Sequence, residues 1–521
     1  MIKEVQEITL NDVYLHAFFD FGKDAFSTLE IEVDLPFCAN VEVILGEVAK
    51  DGKIIHTPGY RTFIQRIIRT GVGKQVIRID IPPFIPAFSG FPHCHAPALA
   101  GGEIAPFRYV EVNRTYGTIT ARRTAYFNDW DDNASSFESS DSKLNEILDF
   151  CKYSIKAATV FDKYVDGERE RQPYEGDTII NQLGQFCHTL NFDIARHTID
   201  HFFEYGQYTW PTEWLLLTPM FVRDHILYTG NSGLLERWLP LLEAKLLAGA
   251  QDENGLLNSK LYKSVRPGCR TDDLIDWPMT ERDGYEKGDV NFVPNAYLYG
   301  VLKIMFELTG NDEYLARAEK VRKGVRSTML KNGIFVDSPE STHSSIHTAV
   351  FALYFDLAEG EEIEACKKVI LSKDMACSVY TAHFLLEVCF RYGMEDHGIY
   401  LMTSDSDRSW FNMLREGATI TMEAWGDKYK PNQDWNHAWG AAPANIIPRM
   451  FCGIRPLEPG FKRFAVDPKP GKTESFSVRM PTVRGEISLK WSKERKVLTV
   501  PANSEAVYRD KVYPAGTHEL D

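Results

Sequence analysis

The chain has 521 residues, 44% hydrophobic and 25% charged, with a formal net charge of −15. Such a composition belongs to a folded globular protein, and the length calls for roughly two to four domains. The acidic excess argues against nucleic acid and anionic membrane as partners, because phosphates would be repelled, and it favours a neutral ligand. No run of about 18 apolar residues exists, so no membrane span is expected. The first residues lack the basic-then-apolar pattern of a secretion signal. Nine scattered cysteines with no Cys-x-x-Cys pair fit reduced, buried thiols. Cytoplasmic residence is the resulting expectation.

Residues 1–135 read as an N-terminal β-sandwich. Ser27–Leu35, Val41–Val48, Val76–Ile81, Arg108–Asn113 and Thr118–Tyr126 carry alternating or β-branched apolar residues between turn signals. Gly71-Val72-Gly73-Lys74 lacks the full phosphate-loop pattern and reads as a hairpin turn. From Asp141 the period changes: Leu144, Ile147, Leu148, Cys151, Ile155 and Ala158 fall on one helical face. Segments ending at Gly230-Asn231 and Gly310-Asn311 repeat one device, a glycine that closes one helix and an asparagine that caps the next. About twelve such helices are expected between residues 141 and 452 of a helical domain spanning 136–452, and they can form a solenoid or close six hairpins into a ring with a central pit. After Pro459-Gly460 the alternation returns in Phe476–Arg479, Glu486–Trp491 and Val497–Pro501, so residues 453–521 read as a small C-terminal β domain. The predicted class is mainly α.

Two loops carry the chemistry. Residues 166–177 (DGERERQPYEGD) hold five carboxylates and two arginines, and Gly167, Pro173 and Gly176 break any helix there. Thr419–Gly426 and Asp434–Gly440 hold a lone Glu423, the pair Asn436-His437 and the tryptophans Trp425, Trp435 and Trp439. An indole can stack on the apolar face of a sugar ring and raise the pKa of a nearby carboxyl group. Glycosidic hydrolysis needs two carboxyl groups, one to protonate the leaving oxygen and one to act on the opposite face. A closed ring would make the first and last hairpins neighbours, with the two loops facing each other. The competing readings are a solvated charge loop and tryptophans that merely pack the last hairpin, Trp439 above all.

These segments resemble glycoside hydrolase family 78, the inverting α-L-rhamnosidases, whose motif runs roughly Asp-Cys-Pro-x-Arg-Asp-Glu-Arg-x-x-Trp-x-Gly-Asp. Glu170-Arg171, Tyr174 and Gly176-Asp177 fall on its second half at the same spacing. The segments TMEAW, NHAWG and GIRPLEPGFKRFAVDPKPG, together with Asp276-Trp277 and residues 138–155, resemble further blocks of the family. The Cys-Pro is absent, and Asp166 meets the first Asp only if the loop is two residues shorter. The resemblance implies an (α/α)6 barrel, Glu170 as general acid and Glu423 as general base. It also implies that Asp166, Arg171, Tyr174, Asp177, Trp277, Trp425 and His437 contact or tune the sugar. Glu168 and Glu175 are left as loop charge.

Such an acid must keep its proton near neutrality, which an apolar or anionic neighbour such as Asp166 or Asp177 would favour. No cofactor or metal is required. His343 and His347, four residues apart, and His93-Cys94-His95 lack the further ligands of a zinc site. Trp210 and Glu213-Trp214 offer either a further aromatic wall or core packing. Two alternatives stay open: the same scaffold acting on another sugar or on a uronide, for which Arg169, Arg171 or Arg270 could supply the cation, and a carbohydrate-binding relative without catalysis. The oligomeric state is left open.

Overall fold

The structure is a computed structural model that describes residues 1–56, 63–86, 92–204, 212–265 and 272–521. Trp210 and Arg270 lie outside the described residues.

The N-terminal part is built on one long ribbon, Ile2–Leu35 against Ala105–Phe127. The ribbon bends with register shifts near Leu10 and Asp20, so Thr118–Tyr126 pairs with the chain's first residues on one side and with Ser27–Val33 on the other. Ala39–Gly46 and Phe63–Thr70 extend one face, and Gly73–Arg78 extends the other. The core between the faces holds Phe19, Leu29, Ile31, Val33, Val41, Val43, Val110, Val112 and Ile119. The expected strands are present. Gly71-Val72 is not a hairpin turn, however. The strands on either side of it sit at opposite ends of the sheet order, so it is a corner between the two faces.

Among the described residues of the helical part, six helices contact one another in sequence, and the last returns to the first. They are Glu175–His188, Thr218–Thr229, Phe292–Thr309, Ile346–Tyr354, Thr381–Arg391 and Pro443–Ile446, the last continuing as a π-type turn over Ile447–Phe451. These inner helices are buried nearly all round; every residue of Glu175–His188 is buried. A helix with no exposed face is covered on every side, and a second layer supplies the cover. Ser142–Ala158, Asp193–Glu204, Gly233–Lys245, Asp312–Met329, Glu361–Lys373 and Glu395–Thr403 form that layer.

The helix ends follow the expected chemistry. Gly230 and Gly310 adopt left-handed φ of 73° and 68° and donate back to Ile226 and Phe306. The Asn311 side chain accepts from the Glu313 amide at 3.0 Å. Because each inner helix is preceded by an outer one running the other way, the N-termini of all six inner helices gather at one end of the ring. None of the described helices is long and apolar enough to cross a membrane.

The C-terminal part has two sheets. The larger runs through Ser475–Thr482, Gly485–Ser492, Lys496–Val500 and Gly516–Glu519. Its edge is filled from far away in sequence: Ser136–Ser139, the segment expected to open the helical domain, pairs antiparallel with Phe476–Arg479. At the junction Gly453 has φ 76°, and a Cβ there would lie 2.1 Å from the Asp467 backbone. Gly453→Ala should therefore destabilise the fold by about 2–4 kcal/mol, since it adds both a backbone clash and a left-handed side chain. Thermal unfolding compared with Gly471→Ala, where a flexible Asp396 side chain is the nearest obstacle, measures it.

Candidate active site

The acidic loop folds back on itself. The Asp166 amide donates to the Gln172 carbonyl at 3.1 Å, the Gln172 amide donates to Asp166 Oδ1 at 3.0 Å, and the Arg171 amide reaches the Gly167 carbonyl. Gly167 has φ 109°, and a Cβ would come within 2.9 Å of Asn436 Oδ1, so only glycine lets the two loops approach this closely. The ring of bonds projects Arg169 and Glu170 inward, and the chain then enters the Glu175–His188 helix with Asp177 in its first turn. A carboxylate there faces the positive end of the helix dipole.

The second loop is held as firmly. The Glu423 amide donates to the Asp434 carbonyl at 3.0 Å and the His437 amide donates to the Thr421 carbonyl at 2.9 Å, forming a short ladder. Trp439 Nε1 donates to the Glu423 carbonyl at 3.0 Å. Glu423 is 2% exposed.

The two loops meet through Arg169. Its Nη1 lies 3.0 Å from Glu170 Oε1 and its Nη2 lies 2.9 Å from Glu423 Oε1. A guanidinium is a rigid planar fork, so these facing oxygens are at most about 8 Å apart. Tyr174 Oη donates to Glu170 Oε2 at 2.7 Å, and Lys430 Nζ lies 2.9 Å from Glu423 Oε2. His437 Nε2 is 2.7 Å from Asp177 Oδ1, and its ring stacks on Trp439. Trp439 in turn joins Trp214, Tyr380 and Tyr174 in a continuous aromatic wall across the N-terminal ends of the inner helices.

The carboxylates are electrostatically sorted. Burial opposes a charge on Glu423, but Arg169, His437 and Lys430 outweigh it and hold the group below the ordinary glutamate value. Asp166 goes the other way: burial, then the charges of Glu170 and Asp177, push it far up. Burial also raises Asp434 against the pull of Arg169, and raises Asp177 against the pull of His437. One group of this cluster is thus shifted toward its ionised form and three toward the protonated form.

Several expected site residues have other work. Arg171 is completely buried and points away from the ring, binding Glu168 and Glu103 at 2.8 Å and the Ile104 carbonyl at 2.9 Å. It stacks on Phe84 and Phe161, so it ties the loop to the β-sandwich and has no face for a sugar. Trp425 is also fully buried, edge-on to Trp410, with its indole N–H given to the Cys377 carbonyl at 2.7 Å. It packs the wall behind Glu423. Glu168 and Glu175 are not solvated loop charge: Glu175 is buried and Glu168 half-buried, and desolvation pushes Glu168 up to about 7 despite Arg171. Trp277 is half-buried, on a loop anchored by Asp276, which accepts from the Ser378 amide at 2.9 Å and contacts His347 Nε2 at 2.6 Å. His343 pairs with Asp337 instead, so the two histidines serve different carboxylates. Arg169 was expected only as a cation for a uronide, and Lys430, Asp434 and Asn436 carried no assignment. Their only signal was proximity in sequence to Glu170 and Glu423.

Glu423, Asp434 and His437 place ligand atoms within 4.8 Å of one another, close enough to surround a metal ion. Arg169 and Lys430 already neutralise this set, which makes it a poor cation site.

The sequence model described as the bacterial alpha-L-rhamnosidase six-hairpin glycosidase domain matches residues 132–451, and that of the bacterial alpha-L-rhamnosidase C-terminal domain matches residues 453–508. The chain belongs to the bacterial α-L-rhamnosidase six-hairpin glycosidase family. An alpha-L-rhamnosidase of Formosa agariphila is 27% identical over 263 residues, and one of Alteromonas sp. is 24% identical over 268. Each match covers 45% of this chain and 28% of the relative, so it spans well under half the length of either. The fold is similar to that of the Aspergillus terreus alpha-L-rhamnosidase, with TM-score 0.74, 17% identity and coverage of 98% of this chain and 62% of that one. It is also similar to the Streptomyces avermitilis enzyme solved with L-rhamnose, with TM-score 0.72, 16% identity and coverage of 96% and 50%. The two family matches meet where the helical ring gives way to the C-terminal sheets.

Truncating Arg171 tests the clamp. Arg171→Ala would leave half-buried Glu168 without its counter-charge, at a cost of about 2–3 kcal/mol. The expected result is a clearly lowered unfolding midpoint, with Glu168→Gln in the same background recovering part of the loss.

Proposed function

We propose that the chain is an inverting, exo-acting glycoside hydrolase that releases a terminal α-L-rhamnosyl residue from an (α/α)6 barrel. The observation that carries this reading is the pair Glu170 and Glu423. They are two buried carboxylates from opposite ends of the helical sequence, held by one guanidinium so that their facing oxygens are at most about 8 Å apart, a bound compatible with the roughly 6.5–9.5 Å of an inverting pair. Membership of the family supports the reaction class and the sugar.

In the mechanism, Glu423 acts as the general base. Arg169 and Lys430 keep it ionised, so it can take a proton from a water on the far face of the sugar as that water attacks the anomeric carbon. Glu170 gives its proton to the departing glycosidic oxygen, oriented by Tyr174. Donation requires that the contact between Arg169 and Glu170 be given up as the sugar enters, leaving Arg169 to Glu423 and Asp434. Asp177 and His437 form a fixed polar pair for the sugar hydroxyls beside the aromatic wall, and Asp166 closes the acid loop. Trp277 is the proposed stacking residue, since it keeps an exposed edge where Trp425 does not.

A second reading stays within the scaffold. Arg169 and Lys430 put two cations beside the catalytic pair, a feature that would also suit a sugar carrying a carboxylate.

Glu170→Gln and Glu423→Gln should each lower kcat on p-nitrophenyl α-L-rhamnoside by about 10²–10⁴-fold with the fold intact. Near-full activity in either variant removes that residue from the mechanism. NMR of the first-formed sugar should report inverted anomeric configuration; retention would point to a nucleophilic role for Glu423. Better turnover of an aryl uronide than of the rhamnoside would favour the second reading.

The pH profile has a definite sign. Lys430 helps hold Glu423 below the ordinary value, so Lys430→Met raises its pKa. The base is then protonated at higher pH, and the acid limb of kcat/KM should move upward. An unmoved limb would separate that limb from Glu423.

A further inference from the structure

The N-terminal β-sandwich reaches the site through one buried side chain. Glu47 follows directly on the strand Ala39–Gly46 and is 4% exposed. Its Oε1 accepts from Asn436 Nδ2 at 2.6 Å. The other end of the same amide, Asn436 Oδ1, accepts from the Glu168 backbone N–H at 2.8 Å. Asn436 stands between Asp434 and His437 on the base-bearing loop, and Glu168 immediately precedes Arg169 and Glu170 on the acid-bearing loop. A single planar amide therefore joins the two loops, and Glu47 fixes which way that amide faces. An asparagine side chain can turn about its last bond, exchanging donor and acceptor. The Glu47 carboxyl also shares a hydrogen bond with the Asp24 carboxyl, and its Oε1, as an unprotonated oxygen, can only accept from Asn436, so it selects the orientation that leaves Oδ1 for Glu168.

The surroundings leave little slack. Gly167 is packed so closely on Asn436 and Asp434 that a Cβ would lie 2.9 and 3.1 Å from their side-chain oxygens. The sandwich holds the two loops at further points as well. Arg171 is bound by Glu103 and the Ile104 carbonyl on one side, and the Asp24 amide donates to Thr419 Oγ1 at 2.8 Å on the other.

We propose that Glu47 is a positioning residue: acting through Asn436, it sets the distance and orientation between the Glu170 loop and the Glu423 loop. The sandwich is then part of the catalytic apparatus although it supplies no reacting group. The kinetic consequence rests on the function proposed above, whereas the mechanical one does not.

The experiment uses the full chain and compares Glu47→Ala, Glu47→Gln and Asn436→Asp. Glutamine keeps an acceptor for Asn436, alanine removes it, and aspartate at 436 keeps the acceptor for Glu168 while setting a carboxylate against Glu47. Two readouts are taken. The first is kcat and KM on p-nitrophenyl α-L-rhamnoside. The second is amide hydrogen exchange over residues 166–172 and 434–437, which needs no substrate.

For Glu47→Ala and Asn436→Asp, kcat should fall by about 10–100-fold with KM within about twofold, because misplacement of the pair affects the chemical step more than binding. Exchange should quicken in both loops. Glu47→Gln should recover most of kcat and the slow exchange. Unchanged exchange in Glu47→Ala overturns the proposal, as does a Glu47→Gln variant no better than alanine. If alanine prevents folding, Asn436→Asp and Glu47→Gln carry the same comparison. If the parent protein turns over no rhamnoside, the functional reading fails, while the exchange comparison still decides whether Glu47 holds the loops.

Discussion

The arrangement at the site depends on closure of the inner ring, in which the helix Glu175–His188 lies against Pro443–Ile446 although more than 250 residues separate them. Without that contact the Glu170 loop and the Glu423 loop would lie at the two ends of an open helical array. With it, His437 reaches Asp177, Arg169 reaches Glu423, and Trp439 completes the aromatic wall. Closure leaves the inner helices with hardly an exposed face, every side being covered by a neighbour in the ring or by the outer layer.

Burial then creates an electrostatic problem. Asp166, Glu170, Asp177, Glu423 and Asp434 crowd one end of the ring, against Arg169 and Lys430 as fixed cations. Five full negative charges in so small and dry a space would be prohibitively costly. Asp166, Asp177 and Asp434 are shifted toward their neutral forms, while the cations concentrate on Glu423. Glu423 therefore owes its charge to Arg169 and Lys430, and its position to Trp439 and the Asp434 carbonyl.

Much of this was legible in the sequence where the physics is local. The period of Leu144 to Ala158 gave one buried face, the glycines at 230 and 310 closed helices, and the Glu-Arg-x-x-Tyr-x-Gly-Asp spacing pointed to the acid loop. Properties that depend on three-dimensional neighbours were not. Arg171 sits beside Glu170 in sequence but turns outward, because a left-handed φ of 47° redirects it toward Glu103. Trp425 looks like a sugar platform by composition, yet its indole N–H finds a partner only in the interior, on Cys377. Glu47 could not be connected with Asn436 at all, since nothing in a one-dimensional pattern brings a strand end to a loop nearly 390 positions away.

The strand Ser136–Ser139 has a consequence for how the chain can be divided. It precedes the helical ring but forms the edge of the C-terminal sheet, so the ring is threaded between the two halves of a sheet it does not belong to. A fragment cut at residue 140 would leave Phe476–Arg479 as a bare edge, with its amides and carbonyls open to pairing with another copy. The order of domains along the chain is therefore not the order in which it can be taken apart: the last domain cannot be removed intact, nor made alone, without the four residues that come before the first helix.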